Sequence, residues 1–225
     1  MIIYATKLTF ERYNIAPARE SETYIGQLSE AVIEKEGGNR MLEWGAKLFY
    51  FDKRKSIEIV HFASKLTIFL VDIKRKDLED LGKYIDYHVF KLYENDEQMT
   101  KALDRMFGSS PGFCLDRLTD RSIIATLNTT LSSFAMDGYR FYDFIRNGVL
   151  HSVEINRIMN FDWMLTMKND GKTEYFMPGE KFRQLVLAEY GDKYIRFEKQ
   201  KGAEENLRVF FVITPIFATV IICFS

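Results

Sequence analysis

An α+β fold with a mainly antiparallel sheet is what this sequence predicts, and three observations carry the expectation. Strand-like runs cluster early, three of them in succession over residues 44–72 with short connections between them. Amphipathic helical periodicity dominates the later half. The regular strand-helix alternation of a doubly wound sheet is missing.

Taken in order, Ile2 to Thr6 is rich in branched and aromatic residues and reads as a strand, ended by the polar stretch from Lys7 to Arg12. Ser21 is placed to cap a helix with Tyr24, Leu28 and Val32 on one face, stopped by Gly37-Gly38. From Trp44 the period shortens. Lys47 to Phe51, Ile57 to Phe62 and Leu66 to Val71 are three strands, the first two joined by the charged turn Asp52-Lys53-Arg54-Lys55. Beyond Lys74-Arg75-Lys76, the spacing of Leu78, Leu81, Ile85, Val89 and Leu92 predicts a helix lying on that sheet. Asn95 with Gln98 reads as a capping box for a second helix through Met99, Leu103 and Met106. Gly108 to Gly112 is a loop, 113–118 another strand, and Asp120 caps a helix whose apolar face is Ile123, Ile124, Leu127, Leu131 and Phe134. Further helices are expected near Phe141 to Arg146, Ser152 to Met159 and Glu180 to Tyr190, the last stopped by Gly191. Between them Asn169-Asp170-Gly171 is a strong hairpin signal.

The charge pattern divides the chain unevenly. Residues 1–197 read as one domain and 198–208 as a polar linker, while 209–225 form a tail without a charged side chain. As a helix that tail would span about 25 Å, short of a hydrocarbon core of about 30 Å. Pro215 also interrupts it. Its β-branched content favours two short strands around Pro215, packed on the domain or added to a sheet edge, ahead of a chance extension of the reading frame and of a membrane anchor. A net charge of -1 gives no global pull on nucleic acid or anionic lipid. Two isolated cysteines, Cys114 and Cys223, suggest a reducing cytoplasm, and the start lacks the pattern of a secretory signal, so the mature chain is expected to begin at Met1.

Several polar groups are candidates for binding. Asp52, Arg54 and Lys55, with the second basic run at 74–76, could form a positive edge for phosphate, although interleaved aspartates make a solvated turn the plainer reading. Asp120, Arg121 and Asn128 lie at a strand-to-helix junction whose amides could receive an anion, unless Asp120 is simply the cap. Asn156 and Asn160 stand one turn apart beside Arg157, able to hold a neighbouring loop or to present a polar surface. Trp44 and Lys47 join this set from the first strand of the meander. His61, His88 and His151 lack metal-ligand spacing, Ser109-Ser110 lacks the setting of a nucleophile elbow, and no phosphate-cradling glycine loop is present. No cofactor or metal is therefore expected, and no catalytic signature argues for an enzyme.

In their order these segments resemble a family found in bacteria and their plasmids and phages, a domain of unknown function. The likeness rests on Ile3-Tyr4-Ala5-Thr6-Lys7, Trp44, Leu48-Phe49, Asp52-Lys53-Arg54-Lys55 and Lys76-Asp77-Leu78 with Leu81-Gly82. It continues through Thr119-Asp120-Arg121-Ser122 with Asn128, and Asn156-Arg157 with Asn160, covering roughly residues 1–190. The family usually carries Asn where this chain has Lys47, and an Asn-containing turn in place of His61-Phe62-Ala63-Ser64. The resemblance implies no activity or cofactor. What it implies is a setting, the small accessory genes of bacteria and mobile elements. Together with the absence of a catalytic constellation, this leads to the expectation of a non-enzymatic, cytoplasmic protein acting through a macromolecular partner, with a protein partner expected. The competing reading is a nucleic-acid-binding or nucleic-acid-processing protein that uses the 52–55 turn and the 120–128 junction together.

Overall fold

Both faces of the early strands are apolar, so both must be covered. A computed structural model describes residues 1–20, 24–109, 112–169, 172–192, 209–213 and 218–222. Its central sheet is built from β1 (Ile2–Ala5), β2 (Glu43–Phe51), β3 (Arg54–His61), β4 (Thr67–Leu70) and β5 (Cys114–Arg117) in the order β4-β3-β2-β1-β5. The meander β2-β3-β4 is antiparallel, with Trp44 opposite His61, Lys47 opposite Glu58 and Glu58 opposite Phe69. By contrast β1 is parallel to both its neighbours. Parallel pairing needs a long crossover, and α1 (Lys7–Tyr13) with α2 (Tyr24–Glu36) supplies it between β1 and β2. With its antiparallel hairpins and helices the molecule is α+β, as the pattern of elements predicts.

Alternation along the strands sorts side chains to two covered faces. On one, Trp44, Leu48, Ile57, Ile59 and Ile68 pack against α3 (Leu81–Leu92), α4 (Glu97–Gly108) and α7 (Pro178–Tyr190) through Ile85, Val89, Leu103, Met106 and Phe182. On the other, Val60 and Phe62 meet Ile123 and Leu127 of α5 (Arg121–Met136), while Phe69 meets Phe134 together with Ile155 and Met159 of α6 (Ser152–Phe161). Gly45 makes the α5 contact possible: a Cβ there would stand 2.2 Å from Ile123 Cγ2.

The elements depart from the sequence reading in four places. The polar stretch after β1 is the helix α1, whose Thr9, Phe10 and Tyr13 are buried at helical spacing. Asp96, not Asn95, caps α4, accepting from Met99 N at 3.0 Å. The segment 141–146 is only a 3-10 turn at Phe141–Phe144 followed by β6 (Ile145–Arg146) and β7 (Val149–Leu150). Asn147 and Gly148 between these strands both have positive φ, 52° and 75°, the backbone an Asn-Gly hairpin turn requires. Gly191 ends α7 with an extended backbone instead of a left-handed cap.

The hairpin expected around Asn169 is present as β8 (Leu165–Asn169) and β9 (Lys172–Phe176). Flanking Pro215, β10 (Val209–Ile213) and β11 (Ala218–Ile222) pair with each other as a two-stranded sheet of their own. The proposed Ser21 cap, Ser110 and Pro111, the turn residues Asp170 and Gly171, the linker 198–208, Pro215 and Cys223 lie outside the described residues. Among the described residues no helix is long and apolar enough to cross a membrane.

Candidate functional site

The polar residues singled out from the sequence fall into three separate places. At one end of β2 is the 52–55 turn. Asp52 and Lys53 both have positive φ, 48° and 61°, so the two-residue turn that sets the β2-β3 register is built on them. Arg54 pairs with Asp72 at 2.9 Å, and Lys55 donates to the Arg12 carbonyl at 2.5 Å while standing over the Tyr13 ring. Ile73 N donates to Lys55 O at 2.8 Å, which sets the start of the second basic run beside the turn, and Arg54 and Lys55 are engaged within the fold.

At the other end of β2 lies the start of α5. Asp120 accepts from Ile123 N at 2.9 Å, completing an N-cap, and its second oxygen meets Arg40 at 3.3 Å. Arg121 is exposed in the first turn. Two turns on, Lys47 Nζ donates to the Leu127 carbonyl and to Asn128 Oδ1, both at 3.0 Å, fastening α5 to the sheet. Nine residues of β2 separate Arg40 from the 52–55 turn, about 25 Å at the strand rise. The two clusters therefore do not share a cleft.

The third place is the free edge of β4. Asn160 Oδ1 accepts from Thr67 N at 2.8 Å and its Nδ2 donates to Thr67 O at 2.6 Å. Asn156 Oδ1 accepts from Phe69 N at 2.8 Å, and its amide nitrogen lies 3.1 Å from His88 Nδ1. Residues 67 and 69 are those whose backbone groups point away from β3, so two amide side chains of α6 stand in for the next strand. Arg157 donates to the carbonyls of Lys91 and Leu92 and so closes the end of α3. Trp44 is fully buried, its ring 4.7 Å from that of His61. Asn156, Arg157 and Asn160 thus each have a structural partner, whereas Trp44 Nε1 is buried without a hydrogen bond.

What sequence reasoning missed lies between the second and third places. A groove of about 940 Å³ runs along α5, floored by Ser122, Thr126, Thr129, Thr130 and Ser133 and walled by Met159, Trp163, Met164 and Pro178. Lys65 stands at one end; Asp137 and Asp162 also line it. Met136 and Met164 on its rim are 77% and 58% exposed. The hydroxyls of Thr126, Thr129 and Thr130 donate to carbonyls of their own helix, at 3.0, 3.1 and 2.7 Å. Their donors are thus committed, and what they offer the groove is oxygen lone pairs. A serine and threonine stripe at spacings of four, three, one and three was the available signal. The apolar face of the same helix, Ile123, Leu127 and Phe134, is the stronger periodic signal and masks it.

Beneath Thr130, Glu58 is fully buried in the middle of β3, with neither carboxyl oxygen hydrogen-bonded. Burial pushes its acid up to about 8, against the pull of Thr130 and Lys47. The Thr130 hydroxyl is already committed to Thr126 O, so a neutral acid is the form this site accepts. A second cavity, of about 480 Å³, flanks the start of α5, where Arg19 pairs with Asp116 and Arg117 with Glu20. Among the described residues no group of three or more His, Cys, Asp or Glu is placed to hold a metal.

The class these features define is an α+β domain with a sheet covered on both faces and a hydroxyl-floored groove outside it. Residues 2–181, which take in the whole five-stranded sheet and the helices α1 to α6, match a family described as a domain of unknown function (DUF6933), and the chain belongs to that family. No curated protein matches it.

Proposed function

We propose that the protein acts by binding, and that the α5 groove receives an extended segment of a protein partner. The observation that carries this is the chemistry of the groove floor: a row of oxygens whose hydrogens are already used suits a ligand that brings N–H donors, as an extended peptide backbone does. From Ser122 to Asp137 the groove follows roughly 22 Å of helix, room for about six or seven extended residues. Exposed methionines on the rim provide an adaptable apolar contact. Asp137 and Asp162 favour a basic over an acidic segment.

Recognition of nucleic acid has less behind it. Phosphate needs donors and positive charge, whereas the groove offers acceptors, and Arg54 and Lys55 are engaged with Asp72 and Arg12. The setting we propose is the cytoplasm of a bacterium or of a cell carrying its mobile elements. It is supported by the family resemblance and by the free, buried thiol of Cys114.

The test is affinity capture from a bacterial lysate with the wild-type chain and with Thr129→Arg, which places a long cation in the groove. A stoichiometric protein held by the wild type and lost in the variant supports the reading. Partners retained equally by both, or loss only on changing Arg54 and Lys55 to Ala, would sink it.

A further inference from the structure

We propose that Ser122 is a nucleophile and Lys65 its general base, forming a two-residue acyl-transfer site at one end of the α5 groove. The two side chains come from different elements, the β3-β4 turn and the first turn of α5, and meet with Nζ 3.0 Å from Oγ. Both line the groove, so the pair faces a cavity large enough for an acyl group. Lys65 is only 7% exposed, whereas Ser122 is open to solvent. A nucleophile that can be reached and a base that is shielded is the arrangement such chemistry needs.

The backbone at Lys65 is unusual. Its φ of 63° lies in the left-handed region, which a lysine enters only when its surroundings hold it there. Here they do: Lys65 N donates to His61 O at 2.9 Å and Lys65 O accepts from Thr67 Oγ1 at 3.1 Å. That conformation aims the side chain at α5. Burial lowers the ammonium to about 8, Arg40 works in the same direction, and Asp120 opposes them. A usable fraction of the amine is then neutral near physiological pH, and along the same 3.0 Å line it can accept the serine proton instead of donating.

The step balances without a metal or an oxidant. Ser122 Oγ adds to an ester or amide carbonyl as its proton passes to neutral Nζ. The Lys65 ammonium then gives its proton to the departing alkoxide or amine as the C–O or C–N bond breaks. Water adds to the acyl-serine, its proton going to Nζ and on to Oγ as the acid leaves. The proposal rests on the groove described above only as the place where a substrate would lie, and a small reagent tests it without a partner.

The experiment treats the full chain with an alkyl fluorophosphonate and follows intact mass and the modified peptide between pH 7 and pH 9. One adduct is expected, on Ser122, forming about tenfold faster at pH 9 than at pH 7, the change in neutral amine for a group titrating near 8. Ser122→Ala should abolish the adduct. Lys65→Arg keeps a cationic donor to Ser122 Oγ but cannot serve as a base, so labelling at Ser122 should fall at least tenfold while thermal unfolding stays near that of the wild type. No adduct on the folded wild-type chain at pH 9 overturns the proposal. So does an adduct that forms as fast in Lys65→Arg, because the contact is then only a latch. Peptide capture by the groove, measured separately, can survive either result.

Discussion

At the scale of single residues, the edge of β4 depends on two amide side chains of α6. Asn156 and Asn160 stood out as a pair one turn apart able to hold a neighbouring segment, and they hold β4. We predict that Asn160→Ala, which strips a buried N–H and a buried carbonyl of Thr67 of their partner, lowers unfolding free energy by roughly 2–4 kcal/mol in urea titration. A loss under 0.5 kcal/mol would mean that water or another group replaces it. Glu58 was not legible, because a charged residue within Ile57-Glu58-Ile59 reads as the solvent side of a half-exposed strand, and here that side is roofed by α5. Its acid, raised to about 8, keeps its proton in the folded chain across an interval, from about 4.5 upward, in which the unfolded chain has released it. Stability contributed by this group therefore falls as pH rises through that window and is flat above it. His61 and His88 are pushed down by burial to about 3 and about 4, so their contribution has the opposite slope, lost as pH falls below the ordinary histidine range. Comparing wild type with Glu58→Gln at pH 5 and pH 8.5 cancels the histidines. The variant should gain relative stability at the higher pH, and equal changes in both proteins would show that Glu58 is not held neutral.

At the scale of elements, strong periodicity was readable and short or polar elements were not. The meander, α3 and α5 each announce themselves over many residues. By contrast α1 has seven residues, and only Thr9, Phe10 and Tyr13 face inward, too few to outweigh its charged face. The Asn147-Gly148 turn is a clear signal, masked by a preceding aromatic run that reads as helical. That run is instead buried through Phe144, with Phe141 and Phe144 tilted against the Phe134 ring. For α5 the decisive contact is with a residue that has no side chain. We predict that Gly45→Val, whose Cβ would collide with Ile123, destabilises the fold by about 1–3 kcal/mol or more and loosens the roof over Glu58. Amide exchange in 121–136 accelerating more than in α3 is the expected sign, and uniform acceleration would contradict it. Asp120→Ala removes the cap of the same helix and should cost about 1 kcal/mol. Its exposed pairing with Arg40 adds little to that figure.

At the scale of the molecule, the central sheet has five strands among the described residues, and β10 and β11 pair with each other as a separate sheet. We therefore predict that deleting Val209 to Ser225 leaves a folded chain with Tm within a few degrees of the original, whereas aggregation or a large drop would make the hairpin part of the core. The α+β class was legible because it follows from the distribution of periods along the chain. The groove was not, since it is made by α5 facing a segment some forty residues later, a proximity that only the folded chain creates. A similar separation governs the edge of β4. The amides that seal it lie 87 and 93 residues downstream of the groups they bind. On a ribosome adding about 5–20 residues per second, that interval is roughly 5–20 seconds. The fifth strand, Cys114–Arg117, is itself made only partway through it, and throughout it β4 keeps an open row of N–H and C=O groups, so α6 is the last-made part that closes a surface other nascent chains could otherwise join.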